Sequence, residues 1–298
     1  MVSPDGANRD VPNQRPDLDL LPTDAIVALL LDAEDRIVPV VRAVAADIAA
    51  AAELCADRLR RNGRLVFVGA GTSGRIAAAE AAEIPGTFGL DRARVQHRVA
   101  GGDRSTDDDE DDLGAAGDDV SALRLTGSDV LIAVAASGST PYTLAVARSA
   151  RAQGAAVVAV VTETGSPLAG LADVTIAAVV GAEVLRGSTR LGAGTAQKIV
   201  LNTVVTAAMA RYGRVHGDLM IDLVPANAKL RTRAAGIIST ITSASEADAL
   251  SALDACAGDA RAAVLMLELG LSASSARERA HRHVTLRAAL VDPDVSDR

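Results

Sequence analysis

Aromatic side chains are almost missing from this chain. Phe, Trp and Tyr make up 1% of 298 residues, with no Trp, two Tyr and two Phe. The core must therefore be packed from Ala, Val, Leu and Ile, and an aromatic platform for stacking bases or sugar rings is not expected. Cysteine is as scarce: Cys55 and Cys256 stand far apart and form no Cys-x-x-Cys pair. The histidines His97, His216, His281 and His283 show no zinc spacing, and His281 and His283, two apart, would not share a helix face. A reduced, metal-free protein follows as the expectation. No basic run occurs and the net charge is −8, which argues against a nucleic-acid partner. It does not argue against a small anionic ligand, which backbone N–H groups and hydroxyls can hold locally. Neither a stretch of about 18 uncharged apolar residues nor a hydrophobic leader in Met1–Pro22 is present, so no membrane span is expected and a cytoplasmic location is.

What is there is aliphatic and rhythmic. Hydrophobic residues reach 49%, enough for a large buried core. Residues 1–21 read as a polar, flexible arm. From Pro22 to Arg61 apolar residues recur every three or four positions, as helices do, with a break near Asp35 and Arg36. Then the period changes. Arg64–Gly69 is a short apolar run that ends in glycine, and a helical segment, Arg75 to Glu83, follows it. Ser128–Ala135 is a second such run, followed by a helix from Tyr142 to Gln153. A strand is also expected at Arg94–Ala100, and buried strands at Ala155–Val161 and Val174–Val180. A long helix is expected over about Gly194–Tyr212. Alternation of this kind predicts an α/β fold, a doubly wound parallel sheet sandwiched by helices. Right-handed crossovers then gather the strand-to-helix turns at one sheet edge. Residues 22–240 would form this domain together with the N-terminal helices. Residues 241–298 read as a small C-terminal helical domain, with helix starts near Ser243-Ala-Ser-Glu and Ser272-Ala-Ser-Ser and turns at Ala257-Gly-Asp and Gly270-Leu-Ser.

Three turns carry chemistry. Gly69-Ala-Gly71-Thr72-Ser73-Gly74-Arg75 puts backbone N–H groups and two hydroxyls at a helix start, where the dipole favours an anion. It also has the spacing of a dinucleotide fingerprint, but Asp91, the acidic residue near the required distance, precedes the second strand instead of ending it. A ligand-free tight turn is the plain alternative. Ser137-Gly-Ser139-Thr140-Pro141 is a second hydroxyl-rich turn, with Pro141 suited to the first helical position. Gly187-Ser188-Thr189-Arg-Leu-Gly192-Ala-Gly-Thr-Ala-Gln-Lys198 is the third and precedes the long helix. Its lysine stands out in a chain whose positive charge is nearly all Arg, though a solvated helix charge would also account for it.

Together these stretches, with Gly217-Asp-Leu-Met-Ile-Asp-Leu223 and Asn227-Ala-Lys-Leu-Arg231, resemble the motifs of the N-acetylmuramic acid 6-phosphate etherases, in order and at close to family spacing. That family belongs with the sugar isomerase (SIS) phosphosugar-binding proteins. The resemblance covers about residues 23–290 and implies a SIS-type fold and a homodimer. It implies an amino-sugar 6-phosphate substrate held by Gly71, Thr72, Ser73, Ser137, Ser139, Thr140, Ser188, Thr189 and Lys198, with no cofactor. The implied reaction releases D-lactate from N-acetylmuramic acid 6-phosphate and leaves N-acetylglucosamine 6-phosphate, by acid–base elimination through the open-chain aldehyde and then hydration. Such chemistry asks for two carboxyl groups in different environments.

Glu83, in Ala82-Glu-Ile-Pro-Gly-Thr-Phe-Gly89, matches the family's catalytic acid. The reading places it at the end of its helix, where the dipole would favour the protonated form. For the second carboxylate, Ala100-Gly-Gly-Asp103 is present but the following segment is about four residues short and becomes Asp107-Asp-Asp-Glu-Asp-Asp112. Counting back from the Ser128 strand puts Asp107 at the family's catalytic Glu. Another gap placement offers Asp108 or Glu110, and a solvated acidic face is the plain reading of the run. No Thr-Glu-x-x-Asn box is found near the N-terminus. Ser139 stands where the family often has Arg, and Gly192 where it often has Lys. A non-catalytic phosphosugar-binding regulator and a hexosamine-phosphate isomerase are the alternatives these departures leave open.

Overall fold

A computed structural model describes residues 17–102 and 106–293, apart from the side chain of Asp107. The chain divides into two compact units. One comprises the described residues up to Ala81 with Gln96–Val204, the other Ala82–Val95 with Val205 onward. The described part of the expected small domain, 241–298, lies within the second unit, which also takes in 205–240 and the short segment 82–95.

The first unit is built on five strands: β1 (Leu65–Gly69), β2 (Val95–Val99), β3 (Val130–Val134), β4 (Ala156–Val161) and β5 (Val174–Ala177). Their order in the sheet is β2-β1-β3-β4-β5. β1, β3, β4 and β5 pair in parallel, with Gly69 opposite Val134 and Val134 opposite Val160. β1, β3 and β4 are buried along their whole length. That is why they read as unbroken apolar runs, not as an alternation. One face of the sheet, with Val66, Val68, Leu131, Ala133, Val157 and Ala159, packs on the helix residues Leu123, Tyr142, Val146 and Ala150. Those side chains come from α5 (Leu113–Leu123) and α6 (Pro141–Ala152). Arg64 and Asp129 lock the entry of β1 to that of β3. The guanidinium donates to both carboxylate oxygens at 3.1 and 2.7 Å, and the Arg64 and Thr126 N–H groups add bonds of 2.9 and 2.8 Å.

The sequence placed the break at Asp35 and Arg36 correctly, but among the described residues three α-helices precede the sheet: α1 (Thr23–Glu34), α2 (Ile37–Ala43) and α3 (Ala45–Arg60). Two other helices are longer than their patterns. α4 runs over Gly71–Phe88 with Pro85 inside it, and α7 over Gly192–Tyr212.

From Ala228 on, the described residues of the second unit form five helices: α8 (Ala228–Thr242), α9 (Glu246–Ala255), α10 (Ala260–Leu269), α11 (Ala273–Arg282) and α12 (Leu286–Val291). Ser245, Asp259, Ser272 and Thr285 cap α9 to α12, each accepting a first-turn N–H. Ser243 does not start α9. It ends α8 in the left-handed conformation, at φ 58°. The core of this unit is Ala, Ile, Leu and Val, including Ile221, Ile238, Leu253, Val264 and Leu265.

Candidate functional site

The strand order reverses direction between β1 and β3. From β1 the chain moves out to β2, and from β3 it moves the other way to β4 and β5. Open α/β sheets bind ligands outside the carboxyl ends of the strands at such a reversal. The two hydroxyl turns lie there, one after β1 and one after β3.

At the first turn, α4 begins directly at Gly71, so the N–H groups of its first residues lack intrahelical acceptors. Gly74 must be glycine for the helix to start this close to the strand: a Cβ there would stand 2.6 Å from the Gly69 carbonyl oxygen. Thr72 and Ser73 are half-buried. At the second turn the Ser139 hydroxyl and N–H both donate to Ser137 Oγ, at 2.8 and 3.2 Å. Thr140 precedes α6 without using its side chain as a cap, and Pro141 takes the first helical position as expected. The base of this turn is held by Thr162, whose N–H and hydroxyl both donate to the Ala136 carbonyl, at 2.9 and 3.0 Å.

The third turn differs from its expectation. The start of α7 is already capped by the chain itself. Glu183, buried, accepts the N–H groups of Gly192 and Ala193 at 3.0 and 2.9 Å. A carboxylate is the anion this helix start holds. Ser188 is half-buried and Thr189 exposed, and the Thr189 carbonyl accepts the Gly194 N–H at 3.0 Å. Lys198 is not a free surface charge either: its Nζ donates to the buried Glu80 at 2.9 Å.

The acidic run is largely committed to local structure. Asp107–Asp111 forms a short 3-10 helix, with Thr106 and Asp109 making a reciprocal capping box and Asp112 capping α5 through the Ala115 N–H. Glu110 points elsewhere. Its Oε1 lies against Gly71, 2.6 Å from where a Cβ on that residue would be. Of the three candidates, then, Glu110 reaches the first turn, while Asp108 is exposed. Asp103 and the Asp107 side chain lie outside the described residues. α5, which follows the run, is tied to the second turn. Buried Tyr142, next to Pro141, donates to Asp119 Oδ2 at 2.5 Å, and Arg98 pairs with the other oxygen at 3.1 Å. Burial first, and then this carboxylate, pushes the Tyr142 hydroxyl well above its ordinary pKa.

Glu83 is exposed and belongs to the second unit. It does not end its helix, because α4 continues to Phe88. The dipole acts only over the last turn, so the argument that the helix end favours a protonated Glu83 loses its premise. The segment after it is braced by the Gly217–Leu223 motif. Val224 donates its N–H to the Gly86 carbonyl at 3.0 Å, and Gly89 packs on the Asp222 backbone. Asp222 is held in turn by Arg261 and Arg214, at 2.6 and 3.2 Å. Burial raises its pKa, and the two guanidiniums pull against that rise. Asn227 caps α8 through the Leu230 N–H at 2.9 Å. Asp91, the weak dinucleotide candidate, instead caps the turn before β2 by accepting the Ala93 N–H at 2.8 Å.

Sequence reading missed Glu80, Glu183 and the reach of Glu110. The first two lie in ordinary helical or loop context. Only their tertiary partners mark them.

The fold and its paired hydroxyl turns define a SIS-type phosphosugar-binding protein. Residues 31–162 match the SIS domain family. Among solved structures, the fold is similar to a phosphoheptose isomerase from Francisella tularensis (TM-score 0.50, 16% identity, 64% of this chain and 100% of that one). It is also similar to a protein from E. coli CFT073 (TM-score 0.50, 20% identity, 66% and 97% covered). Full-length relatives narrow the class. The N-acetylmuramic acid 6-phosphate etherase of Deinococcus radiodurans is 44% identical over 88% of both chains, and that of Rubrobacter xylanophilus 42% identical over 92% of both. The chain belongs to the N-acetylmuramic acid 6-phosphate etherase family.

Proposed function

We propose that the protein cleaves the D-lactyl ether of N-acetylmuramic acid 6-phosphate, giving N-acetylglucosamine 6-phosphate and D-lactate. Its membership of the etherase family carries the reading, and the paired turns at the β1/β3 reversal support it. Gly71, Thr72 and Ser73, with Ser137, Ser139 and Thr140, hold the phosphate through N–H groups and hydroxyls. Ser188, Thr189 and Lys198 complete the substrate contacts.

In the open-chain sugar the C1 aldehyde makes the C2 proton acidic. A base removes that proton, the C3–O bond breaks, and an acid protonates the departing lactyl oxygen. Water then adds at C3 and a proton returns to C2. Glu83 serves as the acid. Within the acidic run we assign the second carboxyl to Glu110 in place of Asp107, because Glu110 lies against the phosphate turn.

A homodimer completes the proposal. α1 carries Ile26, Val27, Leu29, Leu30 and Leu31, yet none of its residues is buried, and Val27 and Leu31 are 48% and 62% exposed. A helix that exposes several large aliphatic side chains is more stable when they are covered, and a second copy is the cover we assign. No helix among the described residues is long and apolar enough to cross a membrane, and we place the protein in the cytoplasm, where its sugar phosphate would be found. The test is lactate release, together with deuterium uptake at C2 in heavy water. Interconversion of hexosamine phosphates without lactate would mark an isomerase instead. Tight binding of the sugar with neither reaction would mark a regulator.

A further inference from the structure

Lysine occurs twice among thirty Lys and Arg residues, at Lys198 and Lys229. In a chain that otherwise uses Arg, lysine marks a place for a compact ammonium with three rotatable donors. Lys198 is 54% exposed, whereas the Glu80 side chain that accepts its Nζ is 5% exposed. Glu80 takes one of the three donors and fixes the direction of the group.

The pair stands on a seam between α4 and α7. Thr72, Ile76 and Glu80 follow one another at four-residue spacing on α4, and Gly194 and Lys198 do so on α7. A Cβ on Gly194 would touch Ile76 Cδ1 at 3.5 Å and Thr72 Cγ2 at 3.7 Å. The seam therefore starts at the phosphate turn, and Glu183 anchors the start of α7 beside it. From Thr72 to Glu80 the helix advances about 12 Å. An anion-binding helix start thus lies at one end of the seam, and an oriented ammonium lies further along it. A ligand that exploits both carries two anionic groups, a phosphate and, toward its other end, a carboxylate.

We infer that Lys198, oriented by Glu80, receives the lactyl carboxylate of the substrate, and that this pair selects a sugar phosphate bearing that second anion. The inference rests on the etherase reading. Glu80 is a positioning residue, since it acts through Lys198.

The test is a ligand split. Either single substitution can leave a buried charge unpaired, so the main variant is the double one, Glu80→Gln with Lys198→Met. KM for N-acetylmuramic acid 6-phosphate should rise about tenfold or more, the loss of one charged hydrogen bond, while Ki for N-acetylglucosamine 6-phosphate stays within about twofold. Glu80→Gln alone should show the same split at roughly two- to fivefold. A double variant with wild-type KM would reduce the pair to a structural ion pair and overturn the inference. Equal weakening of both ligands would make Lys198 a phosphate ligand and overturn it as well. A Glu80→Gln variant without the split would remove the positioning role. Should the wild type release no lactate, the etherase reading falls. The dissociation constants of the same two sugars, measured by calorimetry in wild type and double variant, then still decide the inference.

Discussion

Replacing Gly74 by Ala sets two opposed effects against each other. Ala is favoured over Gly inside a helix by about 1 kcal/mol. Against this, the new Cβ would stand 2.6 Å from the Gly69 oxygen, 2.7 Å from its carbonyl carbon and 2.9 Å from Val99 Cγ1. Two of the three obstacles are backbone atoms of β1, which is buried and paired in register with β3. They cannot rotate away as a side-chain tip would, so the start of α4 must retreat by several tenths of an ångström. Overpacking of this kind costs roughly 1–3 kcal/mol, and a fixed backbone obstacle puts it at the upper end. The steric effect wins, with a net loss of about 2 kcal/mol and a fall in Tm of roughly 5 °C. Because the N–H groups that move belong to the turn we propose holds the phosphate, KM for the sugar phosphate should also rise about tenfold. Gly117, in α5, has nothing within 4 Å of where a Cβ would stand, so it isolates the propensity effect: Gly117→Ala should raise stability by up to about 1 kcal/mol. Calorimetric melting with lactate-release kinetics reads both variants. A Gly74→Ala protein that melts at or above the wild-type temperature with unchanged KM would refute the reasoning.

Three further outcomes are expected. Burial pushes the Asp129 carboxyl up, but the bonds from Arg64 and Thr126 outweigh it and hold the pKa below 3.8. A group whose folded pKa is depressed stabilises the fold above its ordinary value and loses that contribution as pH falls through the folded one. The wild-type Tm should therefore drop as pH falls below about 3.8; Asp129→Asn should be less stable near neutrality by about 3 kcal/mol and show a flatter acid limb, and parallel limbs would contradict this. Glu110→Gln should lower kcat about a hundredfold or more, whereas Asp108→Asn should stay within about twofold; an active Glu110→Gln with an inactive Asp107→Asn would return the role to Asp107. Leu31→Asp with Val27→Asp should convert a dimer to monomers in sedimentation, and a wild-type monomer would remove the dimer.

The layout of the α/β core could be read from residue order alone, because strands buried on both faces read as continuous apolar runs and the glycine-rich turns follow them. The resemblance of the Gly217–Leu223 and Asn227–Arg231 stretches to a family was equally open to reading, as was the capping by Ser272, since it acts within a few residues of itself. Helix ends were not. Pro85 looks like a stop in the sequence, yet α4 carries on to Phe88, in a segment braced by the Val224–Gly86 bond. The charged partners were hidden for the same reason. Glu80 and Lys198 are 118 residues apart, and Glu183 meets α7 only once the loop folds back. Among the described side chains of the acidic run, it is Glu110 that reaches Gly71, and the direction of a single turn of 3-10 helix decides this. Local sequence determines which elements form and where ligands can be held. Which carboxylate faces which helix start depends on contacts between distant segments, and only the packed chain decides them.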